Sequence, residues 1–151
     1  MTVIVNGLDE LRDRVDEHLG YSDWLDVSQQ RINTFADATD DHQWIHVDVE
    51  RAKEGPFGGT IAHGYLTLSL LPMLLGQTVK VSGFSMGINY GLNKLRFPSP
   101  VPVGSKLRVG AKLATLEDVT GGVQLTYECT FEVEGNEKPA AVAEVLTRYY
   151  E

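Results

Sequence analysis

His63-Gly64-Tyr65-Leu66-Thr67-Leu68-Ser69-Leu70-Leu71-Pro72-Met73-Leu74-Leu75-Gly76-Gln77 is the stretch on which the fold turns. Tyr65, Leu66, Leu68, Leu70, Leu71, Met73, Leu74 and Leu75 occupy every side of a helical wheel, and a helix that is apolar all round is a buried one. At 1.5 Å per residue the segment spans roughly 22 Å, about the width of a sheet that could wrap it. Pro72 removes one backbone donor and is expected to bend the last turn, and Gly76 to end it.

The second half of the chain reads as that sheet. Met86, Ile88, Tyr90 and Leu92 alternate on one face, whereas Leu95 and Phe97 fall on the opposite phase, which predicts a bulge near Asn93-Lys94. Pro98, Pro100 and Pro102 stop that strand. Leu107, Val109, Ala111 and Leu113 alternate with polar residues, as do Val123, Leu125, Tyr127, Cys129, Phe131 and Val133, the pattern of half-buried antiparallel strands. Gly121-Gly122 and Glu134-Gly135-Asn136 are turns, and Ala140 to Tyr149, apolar on both faces, reads as a strand set deeper in the sheet. The expectation is α+β: one domain over residues 1–151, an antiparallel sheet around a long buried helix. One sheet covers only part of such a helix, so a second copy of the chain is expected on its free side.

On the N-terminal side, Leu8, Leu11, Val15 and Leu19 recur at spacings of three and four and predict a helix over 8–19, stopped by Gly20. Tyr21 to Val27 reads as a short strand. Ser28 then caps a helix over Gln29 to Ala38, with Ile32, Phe35 and Ala36 on one face, and Asp48 caps a short turn through Lys53. Gly55 to Gly59 is a loop by its turn chemistry.

The 151 residues carry 21 acidic and 13 basic side chains, a formal charge of −8 without a basic cluster, which argues against nucleic acid as a partner. The single cysteine, Cys129, permits no intrachain disulfide and suits a reducing compartment. The first residues lack the basic and apolar regions of a signal peptide, and Tyr65 to Leu75 is short of the ~20 residues of a membrane span. The expected location is cytoplasmic.

Asp41 and His46, five residues apart after the second helix, sit in a segment without a steady hydrophobic period, as in a loop. A carboxylate and an imidazole at that spacing can converge on one water, a pairing suited to adding water to an activated double bond. On spacing alone a turn-capping Asp41 and an interior or surface His46 are the commoner reading. Gly64, near the start of the buried helix, has a backbone N–H without an intrahelical partner and lets a ligand approach closely. His42 and His46 stand at i and i+4, as in some metal sites, but lack the glutamate of the zinc-protease pattern. Ser69 and Cys129 lie inside apolar patterns and read as packing residues. Lys94 and Arg96 beside the bulge suit either phosphates or solvent.

Three segments carry a resemblance: Phe35-Ala36-Asp37-Ala38-Thr39-Asp40-Asp41-His42-Gln43-Trp44-Ile45-His46-Val47-Asp48, then Thr60-Ile61-Ala62-His63-Gly64, and Ile88-Asn89-Tyr90-Gly91-Leu92-Asn93-Lys94-Leu95-Arg96-Phe97-Pro98. Over nearly its whole length the chain resembles the MaoC-like, single hot-dog (R)-specific enoyl-CoA hydratases, especially a mycobacterial and nodulation-protein-N-like branch. Their Gly-Asp-x-Asn-Pro-apolar-His motif places the catalytic Asp on Asp41 and the catalytic His on His46, and the oxyanion glycine falls on Gly64. Asp40, Gln43 and Trp44 replace the motif's Gly, Asn and Pro. The resemblance implies a hot-dog fold, a homodimer, and an acyl-CoA thioester substrate hydrated to the (R)-3-hydroxyacyl-CoA. Gln43, His63, Lys94 and Arg96 are the expected substrate-binding set. Neither a metal nor a separate cofactor is expected, CoA being part of the substrate. A thioesterase, which would release free CoA, and a non-catalytic hot-dog subunit that binds acyl-CoA or an acyl carrier are the alternatives.

Overall fold

A computed structural model describes residues 1–151. In chain order its elements are β1 (Val3–Asn6), α1 (Gly7–Asp13), β2 (Glu17–Tyr21), β3 (Leu25–Asp26), α2 (Gln29–Thr39), α3 (Trp44–Val47), α4 (Val49–Lys53), α5 (Gly64–Ser69) and α6 (Leu71–Thr78). There follow β4 (Val79–Ser82), β5 (Met86–Arg96), β6 (Lys106–Val119), β7 (Gly122–Val133) and β8 (Ala141–Tyr150). The expected α+β architecture is present. An antiparallel sheet in the order β2-β6-β7-β8-β5, with β3 also paired to β6, curls around α5 and α6.

Alternation in the sequence decides which face of that sheet is buried. Leu107, Val109, Ala111 and Leu113 of β6 and Leu125, Tyr127, Cys129 and Phe131 of β7 are at most 2% exposed, and they join Leu66, Leu70, Leu71 and Leu74 of the helices in one core. β8 lies between β7 and β5, the deep position its apolar composition predicts. The expected bulge in β5 is there, as a register shift between Leu92 and Lys94, and a second lies between Asn89 and Gly91. β5 is an edge strand, so its far side carries unpaired backbone groups.

The central helix differs from its expectation. It is two segments, α5 and α6, joined at Leu70, and Pro72 stands in the first turn of α6 and not in a bent last turn. A proline there gives up an amide that has no full helical partner, so the break falls before it. Gly76 does not end α6, which runs on to Thr78. Nor is the helix buried all round: Tyr65 is 68% exposed and Met73 42%.

The N-terminal helix is also shorter than its spacing predicts. α1 stops at Asp13, and Leu19 reaches the core from β2 instead. The Asp16 amide donates to Leu113 O at 2.7 Å, so the edge of β6 captures the chain before another turn can form. Gly20 is not a helix stop but a bulge residue in β2 at φ +116°, a conformation that favours glycine. Of the strand expected over Tyr21 to Val27, Tyr21 closes β2 and only Leu25–Asp26 form the separate β3. β1 pairs in parallel with β4 in a separate ribbon, Val3 opposite Val79. The two predicted caps are present: Ser28 Oγ accepts from Arg31 N and Asp48 Oδ1 from Arg51 N, both at 3.1 Å.

Candidate active site

α2 ends on Asp40, which adopts the left-handed conformation (φ 60°, ψ 23°) and turns the chain out of the helix. Aspartate is one of the few residues other than glycine that visit this region. Asp41 follows, exposed, its Oδ1 accepting the Gln43 amide at 3.4 Å. Gln43 is the residue before α3 and makes no capping bond with its side chain. Trp44 opens α3, a first-turn position that proline also fits, and its ring lies under the Arg51 guanidinium at 4.3 Å. The positions at which this chain departs from the family motif are thus a left-handed turn, a helix cap and a first helical residue.

His46, near the end of α3, is 6% exposed. Its Nδ1 lies 2.7 Å from Ile61 O, and because a carbonyl can only accept, Nδ1 carries the proton. In the neutral ring the lone pair is therefore on Nε2. Burial holds His46 below the usual histidine value; the Ile61 bond and the Asp41 charge oppose that shift, and the charge of a protonated His63 adds to it. The His46 and His63 rings stack with centroids 3.9 Å apart and planes 22° from parallel. Donor atoms of Asp41, His46 and His63 all lie within 4.8 Å of one another.

His46 forms part of the wall of a pocket of about 320 Å³ whose other walls include Phe57, Ile61, Gly64, Thr67, Phe97 and Val101. Gly64 is the first residue of α5, so its amide has no acceptor within the helix. The Phe97 ring rests on it: a Cβ at Gly64 would come within 2.9 Å of Phe97 Cε2. The structure thus brings Asp41, His46 and Gly64 to one place. It sets the expected binding residues differently. His63 is 2% exposed and is not on the pocket wall. Lys94 and Arg96 are exposed on β5, with Arg96 Nη1 donating to Leu95 O.

Gln29 went unnoticed in the sequence. Its Nε2 donates to His46 O at 2.8 Å while its Oε1 accepts from Thr60 Oγ1, tying α3 to the segment before α5. A polar residue in a helix's first turn gives no local sign of partners 17 and 31 residues away.

An antiparallel sheet wrapped on a central helix, with a carboxylate and a buried imidazole beside a glycine amide, defines a hot-dog domain equipped for acid–base chemistry. The chain belongs to the MaoC-like dehydratase family: the model of the MaoC like domain matches residues 10–133. It is 58% identical over 134 residues to 3-hydroxyacyl-thioester dehydratase Z of Mycobacterium tuberculosis, covering 88% of this chain and 89% of that one. It is 47% identical over 144 residues to Nodulation protein N of Rhizobium leguminosarum bv. viciae, covering 93% and 89%. Among solved structures, the (R)-hydratase from A. caviae involved in PHA biosynthesis superposes with a TM-score of 0.66 at 26% identity, over 85% of this chain and 93% of that one.

Proposed function

We propose that the protein is a hydro-lyase that adds water reversibly to a trans-2-enoyl-CoA, giving the (R)-3-hydroxyacyl-CoA. The observation that carries this reading is the placing of Asp41 and His46 beside a pocket that also presents the Gly64 amide. Asp41 and the His46 Nε2 lone pair hold one water; its oxygen bonds to Cβ, and a proton is returned to Cα. The charge that builds on the thioester oxygen between those events is met by the Gly64 N–H. The pocket, walled largely by apolar side chains, limits competing water. In the reverse direction the same groups remove the Cβ hydroxyl as water. No metal or separate cofactor enters this reading.

Loss of enoyl-thioester absorbance on mixing with crotonyl-CoA, beside the Asp41→Asn variant and followed by chiral analysis of the product, tests it. Turnover to the (R)-alcohol that disappears in the variant is the expected result. Release of free CoA with the double bond intact, or a folded and fully active Asn variant, would overturn it.

A homodimer is part of the same reading. Tyr65, Met73, Tyr90 and Leu92 are 68%, 42%, 51% and 41% exposed on α5, α6 and the edge strand β5. A second copy would cover that apolar face, and sedimentation equilibrium reads the outcome directly. No helix of the chain is long and apolar enough to cross a membrane, and a cytoplasmic location is proposed from the reduced cysteine and the CoA-linked substrate.

A further inference from the structure

His63 sits at the crossing of the three parts of the site. Its own backbone is fixed, because its carbonyl accepts the Leu66 and Thr67 amides at 3.1 and 3.2 Å and so starts α5. Its ring centroid lies 3.9 Å from that of His46 of α3, stacked, and 4.9 Å from that of Phe35 of α2, tilted by 59°. Its Nε2 is 2.9 Å from Asp41 O, 22 residues away in sequence; since the carbonyl accepts, Nε2 carries the hydrogen. Nδ1 is buried and has no partner. With one nitrogen committed to the Asp41 main chain, the other buried, and the ring 2% exposed and off the pocket wall, His63 offers nothing to a molecule in the pocket.

From this geometry we propose that His63 is a positioning residue: its Nε2–H fixes the Asp41 main chain while its ring face sets the plane of the His46 imidazole. It spans the gap between a carboxylate on an exposed loop and an imidazole in the core, touching the main chain of the first and the ring of the second. The inference rests on Asp41 and His46 being the reacting pair. A carboxylate displaced by about 1 Å can cost on the order of 100-fold in rate, so one hydrogen bond to the loop has leverage.

Two replacements separate the two contacts. His63→Gln keeps a donor at nearly the reach of Nε2 and loses the ring; His63→Phe keeps a ring between Phe35 and His46 and loses the donor. The titratable groups that face His46 are Asp41, from the loop after α2, and His63 itself, and burial is the largest influence on its titration. In His63→Gln the ring that covers His46 is lost, so His46 should titrate at higher pH, and the acid limb of kcat/KM should move up with it. In His63→Phe the cover stays, so the acid limb should remain low while kcat falls roughly 10- to 100-fold at little changed KM. A rise in KM alone in both variants would overturn the proposal in favour of substrate binding. So would a lower melting temperature in both with kcat and the acid limb unmoved, the mark of a purely structural residue. Titration of the His46 ring by NMR, in the wild type and both variants without substrate, keeps the test independent of the reaction. If crotonyl-CoA is not turned over but His46 shifts in His63→Gln and not in His63→Phe, the enzymatic reading fails and the positioning stands; no shift in either overturns the positioning.

Discussion

The imidazoles of His46 and His63 lie face to face, 3.9 Å between centroids, with only His46 bordering the pocket. Stacking buries the His46 ring on one side, and under the proposed mechanism its Nε2 edge is left for chemistry. Because burial sets the His46 value below 6.5, the ring stays neutral, and able to accept a proton, further into acid than an ordinary histidine. The acid limb of kcat/KM should therefore lie below pH 6.5. Stability follows the same sign. Above 6.5 His46 is neutral folded and unfolded; as pH falls below that, the unfolded chain takes up the proton first and the native state loses stability until the folded ring also protonates. Urea titrations between pH 7 and 5 should show that slope, and His46→Gln should flatten it.

Gly64→Ala tests the approach to the amide. The backbone there is one that alanine adopts, since Gly64 is not among the positive-φ residues. The three atoms nearest the new methyl all belong to the ring of Phe97, a side chain 41% exposed. The melting temperature should change by no more than a few degrees, whereas kcat/KM should fall about 100-fold because the methyl and displaced ring occupy the thioester's place. Steady-state kinetics beside a thermal melt check both halves.

Replacing Gln29 by Leu leaves His46 O and the Thr60 hydroxyl without their partners in a part-buried setting. The expected cost is about 1–3 kcal/mol by denaturant titration, with a loss of kcat larger than any change in KM because the His46 helix is loosened.

Cys129 is 2% exposed, and burial pushes its thiol up to about 12. At pH 8 it is a thiol and not a thiolate, so a colorimetric disulfide reagent should leave the native protein untouched and titrate one equivalent in denaturant. Fast reaction of the native protein would contradict the packing of β7 described above.

What could be read from the sequence is what depends on near neighbours. Ser28 and Asp48 cap helices that begin immediately after them, and β6 and β7 follow from strict alternation over a single face. Asp41 and His46 belong to a contiguous motif, and the family resemblance placed both. The misreadings share a cause. Leu8, Leu11, Val15 and Leu19 satisfy a helical spacing, yet Leu19 reaches the same core from a strand, because the pull of Leu113 O on Asp16 comes from 97 residues away. The β1–β4 ribbon is likewise a pairing of two four-residue strands far apart in sequence, with no local pattern to announce it. Gln29 and His63 act through main-chain carbonyls, and a carbonyl has no identity in a sequence.

The break at Leu70 divides the central helix into a half that borders the pocket and a half that does not. Gly64 and Thr67 border the pocket from α5, while Leu74 and Thr78 of α6 are wholly buried. A continuous rod would transmit a change at either end along its axis; two short rods need not. Substitutions in α5 accordingly reach the pocket directly, whereas those in α6 reach it only through the core that both halves share. For laboratory evolution the consequence is a division of labour: libraries at 64–69 for what the enzyme accepts, libraries at 71–78 for how long it survives.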